Sequence, residues 1–177
     1  RKPSSEDIHP SNIPQFSDLE DAYLETPKIL SLSGQMMSYN ELGTYLDNGL
    51  DKNEIAQRKY GENHSKLATL LDLVVITTNN NSYKVALSNF GLAFCKRTDD
   101  EKRKLTARLF LRVPIIQKML IEASTSEVEI DNELSCLADQ TRKRRKPNIA
   151  LILEFISEAL GYGDNTLRKA LDNIKGW

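Results

Sequence analysis

The stretch Leu73-Val74-Val75-Ile76-Thr77-Thr78-Asn79-Asn80-Asn81-Ser82-Tyr83-Lys84-Val85-Ala86-Leu87 decides the fold. Two runs rich in β-branched residues flank three asparagines. Asparagine tolerates the left-handed backbone of a tight turn, so the combination predicts a β-hairpin with its tip at Asn79 to Asn81. The surrounding sequence reads as helix, so the placement of this hairpin fixes the architecture.

Upstream, Ser38-Tyr39-Asn40-Glu41 has the spacing of a capping box and predicts a helix from Tyr39 to about Asp47, ended by Asn48-Gly49. Asp51-Lys52-Asn53-Glu54 has the same cap-like spacing and starts another. From there Ala56, Tyr60, His64, Leu67 and Leu71 recur at helical spacing as an apolar face, opposite Arg58, Lys59, Glu62, Ser65, Lys66 and Thr69. Gly61 weakens this helix by ~1 kcal/mol relative to alanine, which moves its expected start toward Glu62. Leu19 to Met37 is a weaker helical region cut by Pro27; Thr26 as cap and Pro27 at the first position predict a short helix over Lys28 to Leu32. Three helices followed by a hairpin is the order of a winged helix-turn-helix, assigned to residues 17–97. Residues 1–16 hold three of the six prolines and read as a linker or disordered lead-in.

Downstream, Ser88 starts a short helix to Arg97, and Thr98-Asp99-Asp100-Glu101 caps the next. Pro114 ends or kinks that helix near Arg112, and Ile115 to Ala123 continues the apolar pattern. Ser124-Thr125-Ser126-Glu127 caps a further segment carrying Val128, Ile130, Leu134 and Leu137. Five consecutive cations follow, Arg142, Lys143, Arg144, Arg145 and Lys146, running into Ile149, Ile152, Leu153, Ile156 and Leu160 on one helical face. Gly161 and Gly163 interrupt before a last helix over Asn165 to Ile174. Residues 98–177 therefore repeat the helical order of the first half without a second hairpin. The fold class expected is mainly α with a small β-wing, as tandem winged-helix or helix-turn-helix units.

A chain of 177 residues can bury a real core, and no apolar run approaches a membrane span. Residues 1–16 contain no apolar h-region of a signal peptide; a start at Arg1 rather than Met suggests a fragment or a processed product. The net charge of −1 conceals segregation. Residues 1–60 carry ten acids against six Lys or Arg, whereas residues 96–146 carry nine against thirteen. A locally basic face can engage a polyanion even on a neutral protein. Cys95 and Cys136 sit in apolar patterns and read as buried thiols of a reducing, cytoplasmic compartment.

The two halves together resemble a tandem winged-helix region of bacterial restriction-modification and related defence proteins. Tyr60-Gly61-Glu62-Asn63-His64 followed by Leu71-Asp72-Leu73-Val74 is similar to the family's Gly-acid-aromatic-aromatic signature and its Leu-Gly-Leu-Val strand entry. Leu87-Ser88-Asn89-Phe90-Gly91 looks like its Leu-Thr-x-x-Gly, Glu101 to Pro114 like its charged helix ending in a His-Pro pair, and Thr141 to Phe155 like its second recognition helix. Asn63-His64 departs from the two aromatics, Asp72 from a glycine, and Pro147 from a small helix-former. The resemblance spans about residues 16–160 and implies a target-recognition module whose partners are double-stranded DNA and a nuclease catalytic domain or subunit.

The residue chemistry is compatible with that role. Arginine and lysine read guanine, asparagine and glutamine read adenine, and hydroxyls adapt to either. The first recognition helix offers Arg58, Lys59, Asn63, Ser65, Lys66 and Thr69, and the hairpin tip offers Asn80. The second offers Arg142, Lys143, Arg144, Arg145, Lys146 and Asn148. Placing Pro147 at a helix's first position predicts that Arg142 to Lys146 form an extended, phosphate-gripping arm. The alternative for the first stretch is a solvated helix face held by Arg58–Glu62 and Glu62–Lys66 pairing at i,i+4, and for the second a solvated charge run before an ordinary core helix. A winged-helix transcription regulator and a winged-helix protein-interaction adaptor remain the alternatives. Catalysis is not expected of this chain: Asp100-Glu101-Lys102 has a nuclease-like tripeptide spacing but lies at a helix cap. His9, His64, Cys95 and Cys136 lack zinc-ligand spacing, and no cofactor or metal is expected.

Overall fold

The computed structural model describes residues 8–47 and 51–177, and they form two compact units. One comprises residues 15–102. The other comprises residues 103–177 together with the described residues up to Pro14.

The first unit begins with a π-helical turn, Asp21–Glu25, that runs without a break into α1, Thr26–Ser33. Pro27 therefore does not cut the helix as expected. Its ring and missing N–H are accommodated by the wider turn, where the Thr26 hydroxyl donates to the Asp21 carbonyl at 2.6 Å. Strand β1, Met37–Ser38, leads into α2, Tyr39–Asp47, and the predicted capping box is present. The Ser38 N–H donates to Glu41 at 2.6 Å and the Glu41 N–H to the Ser38 hydroxyl at 3.1 Å. Asn48-Gly49, read as the stop of α2, lies outside the described residues. Helix α3 spans Glu54–Leu70, capped by Asn53 through the Ala56 N–H at 2.9 Å. It runs straight through Gly61, so the expected late start is wrong.

Gly61 is needed because α2 and α3 cross at backbone contact. A Cβ on Gly61 would lie 2.0 Å from the Tyr39 carbonyl oxygen, and one on Gly43 would lie 1.8 Å from that of Gln57. Asp47 locks the same crossing. Its carboxylate accepts from the Gln57 amide at 3.0 Å, the Lys52 N–H at 2.9 Å and Lys52 Nζ at 3.1 Å. The Gln57 bond first, and then Lys52, hold its pKa below the usual carboxylate range.

Beyond α3 the chain turns at Asp72, whose φ of 59° is left-handed. The glycine that the resemblance leads one to expect at Asp72 fits this backbone, which aspartate adopts less readily. Strands β2, Val74–Asn79, and β3, Ser82–Leu87, form the predicted hairpin around Asn80 and Asn81, with φ of 48° and 61°. Two left-handed residues in a two-residue loop match the right-handed twist of the flanking strands. The sheet order is β1-β3-β2, all antiparallel, with Met37 opposite Val85 and Val74 opposite Leu87. Helix, strand, two helices and a hairpin that closes on the first strand is a winged helix. Leu30, Leu42, Leu67, Leu71, Leu73, Val85 and Phe94 of α4, Asn89–Cys95, form its core.

Helix α5, Asp99–Phe110, carries the chain across the boundary at residue 102. The second unit then runs α6, Pro114–Ala123; β4, Val128–Glu129; α7, Ile130–Glu133; α8, Asp139–Leu160; α9, Asn165–Asp172; and β5, Ile174–Lys175. Helix, strand, short helix and long helix repeat the first unit's order. In place of a hairpin come α9 and β5, and β5 pairs with β4 in parallel, Val128 opposite Ile174. Ile116, Met119, Ile130, Leu134, Ile149, Ile152, Leu153 and Ile156 are fully or almost fully buried. Of the stretch read as a linker, residues 1–7 lie outside the described residues; of the rest, His9 to Asn12 are exposed and the flanking residues are packed. Ile8, Ile13 and Phe16 are buried around a 3₁₀ turn at Pro10–Asn12, because apolar side chains at that spacing find cores to enter. Mainly α with a small antiparallel wing is the architecture observed.

Candidate nucleic-acid interface

Burial of the Gly61 side of α3 turns the helix relative to the face expected from sequence. Gly61, His64, Ser65, Leu67 and Ala68 are buried, while Arg58, Lys59 and Lys66 are exposed and Glu62, Asn63 and Thr69 half-exposed. Ser65 was expected to face DNA and does not. It is 0 % exposed, and its hydroxyl donates to the Gly61 carbonyl at 2.5 Å. Thr69 stays at the edge, its hydroxyl donating to the Ser65 carbonyl at 2.9 Å. Both hydroxyls are thus engaged by their own helix.

His64 is core-facing, as its place on the apolar face predicted. Nδ1 donates to the Tyr60 carbonyl at 2.8 Å and Nε2 accepts from the Asp18 N–H at 3.3 Å, an arrangement that fits a neutral ring in one tautomer. The ring stacks on Tyr60 with centroids 4.0 Å apart. Burial pushes its pKa below the ordinary histidine value, against the opposing pull of the Tyr60 carbonyl, Asp21 and Asp18. Tyr60 in turn donates its hydroxyl to Asp21; desolvation and that carboxylate both push the phenol upward. The segment before α1 thereby clamps one flank of α3 and leaves the other in solvent.

On the solvent side Glu62 sits between Lys66, at 2.6 Å, and Lys59, at 3.4 Å. Partial burial raises the Glu62 carboxyl, but Lys66 and then Lys59 more than offset that and hold it low. Arg58 makes no ion pair with a carboxylate among the described residues. It lines a polar cleft of about 250 Å³ together with Tyr39, Asn40 and, from the hairpin tip, Asn80, Asn81 and Tyr83. Tyr39 and Tyr83 stack at 5.4 Å with planes 16° apart. Asn40 Oδ1 is buried there without a hydrogen-bond partner among the described residues. Sequence reading named Arg58 and Asn80 but missed Tyr39, Asn40 and Tyr83. No local signal marks them, because the pairing of Ser38 with Lys84 that sets the first residue of α2 beside the hairpin forms only on folding.

The basic run in the second unit is not an extended arm. All five cations lie inside α8, and Pro147 is within the helix rather than at its start. The proline and Lys143, whose carbonyl loses its intrahelical donor, both lie on the exposed side, where water can replace the bond. Burial of Ile149, Ile152, Leu153 and Ile156 holds the helix through the defect. Arg142 pairs with Asp139 at 2.8 Å, and Lys146 with Asp131 at 2.6 Å. Arg145 is half-buried, and desolvation, then the charge of Arg144, lowers its pKa. Asn148, expected to contact DNA, is 7 % exposed and belongs to the core side. Of the whole run, Lys143 and Arg144 alone are exposed.

Glu101 of the nuclease-like tripeptide is engaged in a capping box, accepting from the Thr98 N–H at 2.9 Å. Cys95 is half-buried and Cys136 exposed, so neither is the fully buried thiol expected; both are free. Burial raises the Cys95 thiol pKa. No helix among the described residues is long and apolar enough to cross a membrane. No family model, curated protein or solved structure matches this chain.

Proposed function

We propose that this chain binds double-stranded DNA, with α3 of the winged helix entering the major groove and the hairpin tip lying against the backbone. The observation that carries the reading is the outward face of α3. Arg58, Lys59, Asn63 and Lys66 share it, and Arg58 opens onto a polar cleft shared with the hairpin tip. A helix presenting donors of this kind, flanked by a second backbone-contacting element, is how helix-turn-helix proteins dock. Thr69 remains a base or phosphate contact at the far end of the helix. In the second unit Lys143 and Arg144 are the cations that can add phosphate contacts.

The motifs around Gly61, Ser88 and Thr141 extend this to a role as the target-recognition module of a restriction or defence nuclease in a cytoplasmic setting, with the catalytic work assigned to another domain or subunit. That extension rests on the resemblance alone. The test is fluorescence anisotropy with a random duplex across a salt series, followed by random-site selection. Binding should weaken linearly in log salt, and Arg58→Ala with Lys66→Ala should flatten the slope by about two. A duplex that fails to bind at low salt, or a slope unmoved by both substitutions, rejects the proposal. Enrichment of one site in the selection supports the recognition role; none leaves a non-specific binder and rejects it.

A further inference from the structure

The outward face of α8 carries apolar side chains between charged ones. Lys143, Pro147, Leu151 and Glu154 follow one another at steps of four, four and three residues, so they form a single ridge, with Ala150 beside it one turn from Glu154. Pro147, Ala150, Leu151 and Glu154 border a groove of about 560 Å³ whose other wall is Trp177. Leu151 is 44 % exposed and Trp177 42 %. Gly176, at φ 101°, turns the chain after β5, and the Trp177 ring N–H is satisfied by the Ile174 carbonyl at 2.9 Å. The indole is thus held in place with part of its surface in water.

The charges on this ridge are polarised. Lys143 and Arg144 stand at its N-terminal end, and neither makes an ion pair among the described residues. Glu154 stands three turns further on, about 16 Å along the axis, also without an ion-pair partner among the described residues. Glu158, one turn beyond, is already taken by Arg103 at 2.7 Å. Cations at one end, apolar side chains at the centre and a carboxylate at the other end make a self-complementary surface. Laid against itself with the direction reversed, each end meets its opposite charge.

We propose that α8 docks a second copy of this chain through this ridge, as an antiparallel, two-fold helix pair. Leu151 packs against the partner's Pro147 beside the indole of Trp177, and Lys143 and Arg144 face the partner's Glu154. A two-fold contact repeats every interaction, so two ion pairs flank one apolar centre. Lys143 and Arg144 are also the cations offered to phosphate above, but the pairing needs no nucleic acid and does not involve α3.

Sedimentation equilibrium of the full chain, without DNA, tests it. A weak dimer of the 20.1 kDa chain is expected, with a Kd of about 10–100 µM for so small an interface. The protein's one tryptophan is at the contact, so its emission should shift to the blue over the same concentrations. Leu151→Arg, at an exposed site that leaves the fold intact by circular dichroism, should weaken the dimer at least about 30-fold and abolish the shift. Lys143→Glu and Glu154→Lys should each weaken it about tenfold, and the two together should restore it to within about threefold. A monomer at every concentration overturns the proposal, whether or not Lys143 and Arg144 prove to bind duplex. So does a dimer indifferent to Leu151→Arg, or a double reversal no better than its parents.

Discussion

Helices α3 and α8 hold the same place in their two units, each reached by a strand and a shorter helix, yet they use that place differently. Helix α3 is followed by a hairpin that returns to β1, so a polar cleft forms between its exposed face and the hairpin tip. Helix α8 is followed by α9 and by β5, which pairs with β4 in parallel and sets Trp177 against it. One long helix therefore borders donors and hydroxyls, and the other borders an indole. The element that comes after each long helix, more than the helix's own charge, decides what its exposed face borders. The helix with five consecutive cations has two of them exposed, whereas the nearly neutral one has three.

The sharpest way to break the comparison is at the crossing of α2 and α3, which has no counterpart of the same closeness among the described residues of the second unit. In an exposed helix Gly→Ala gains ~1 kcal/mol. Gly61→Ala instead places a methyl 2.0 Å from the Tyr39 oxygen and 2.8 Å from the Gly43 nitrogen. It should cost about 3 kcal/mol or more and abolish the function assigned to α3. Hydrogen exchange reads this unit by unit: amides of residues 15–102 should lose protection while those of 103–177 keep theirs. Gly163→Ala, whose Cβ would come no nearer than 4.0 Å to its neighbour, is the control.

The second unit has its own pivot in a lysine shared by two acids. Lys118 on α6 pairs with Glu133 of α7 and with Glu122 at 3.0 Å, with side-chain exposures of 15 % and 12 % for Lys118 and Glu133. Burial raises the Glu133 carboxyl above its ordinary range despite the lysine; burial pulls the Lys118 amine down, but the two carboxylates together more than offset it and raise its pKa. Lys118→Met leaves both acids facing each other and should cost the second unit about 2–4 kcal/mol at neutral pH. Because the folded carboxyl binds its proton more readily than the unfolded one, the loss should shrink as pH falls toward 5. A loss that does not change with pH would show that packing, rather than charge, fixes α7.

How much of this was legible in the sequence divides in the same way. The hairpin was legible because asparagine pairs and β-branched runs act locally, and α2 because a capping box is complete within four residues. Pro147 misled because its position was judged without the core: four buried isoleucine and leucine side chains carry α8 across it. The basic run misled because Asp131, which takes Lys146, lies fifteen residues away and is brought near only by folding. Ser65 and Asn148 were assigned outward because helical periodicity gives the width of a buried face more surely than its centre. The close approach of Gly43 to α3, invisible in periodicity, rotates that centre toward Ser65.

A pH series separates the units by a smaller effect. His64 lies in the first unit with a folded pKa below its unfolded value near 6.5, so the unfolded chain takes up a proton more readily. Its contribution to stability is therefore complete above about pH 6.5 and declines as pH falls through the folded pKa, by at most about 1.4 kcal/mol per pH unit. Protection of residues 15–102 should fall between pH 7 and 5.5, and His64→Phe should flatten that decline even though it loses two hydrogen bonds. An unchanged slope in the variant would place the titration elsewhere.

The smallest effect is the most discriminating for α3 as a reading face. Glu62 is the one acid at the centre of that face, and it neutralises Lys59 and Lys66 at once. Glu62→Gln keeps the shape and removes two i,i+3 and i,i+4 pairs, which should cost a few tenths of a kcal/mol in stability. On duplex DNA it should act in the opposite direction. With no carboxylate to repel phosphate and two lysines released, affinity at low salt should rise about three- to tenfold, and the salt slope should steepen by about one. The matching change on α8, Asp139→Asn, frees Arg142 in the same way but beside a face turned toward an indole, and it should leave duplex affinity within about twofold. Equal gains from both substitutions would mean that any added positive charge suffices, and that the two helices are not distinguished by what lies beside them.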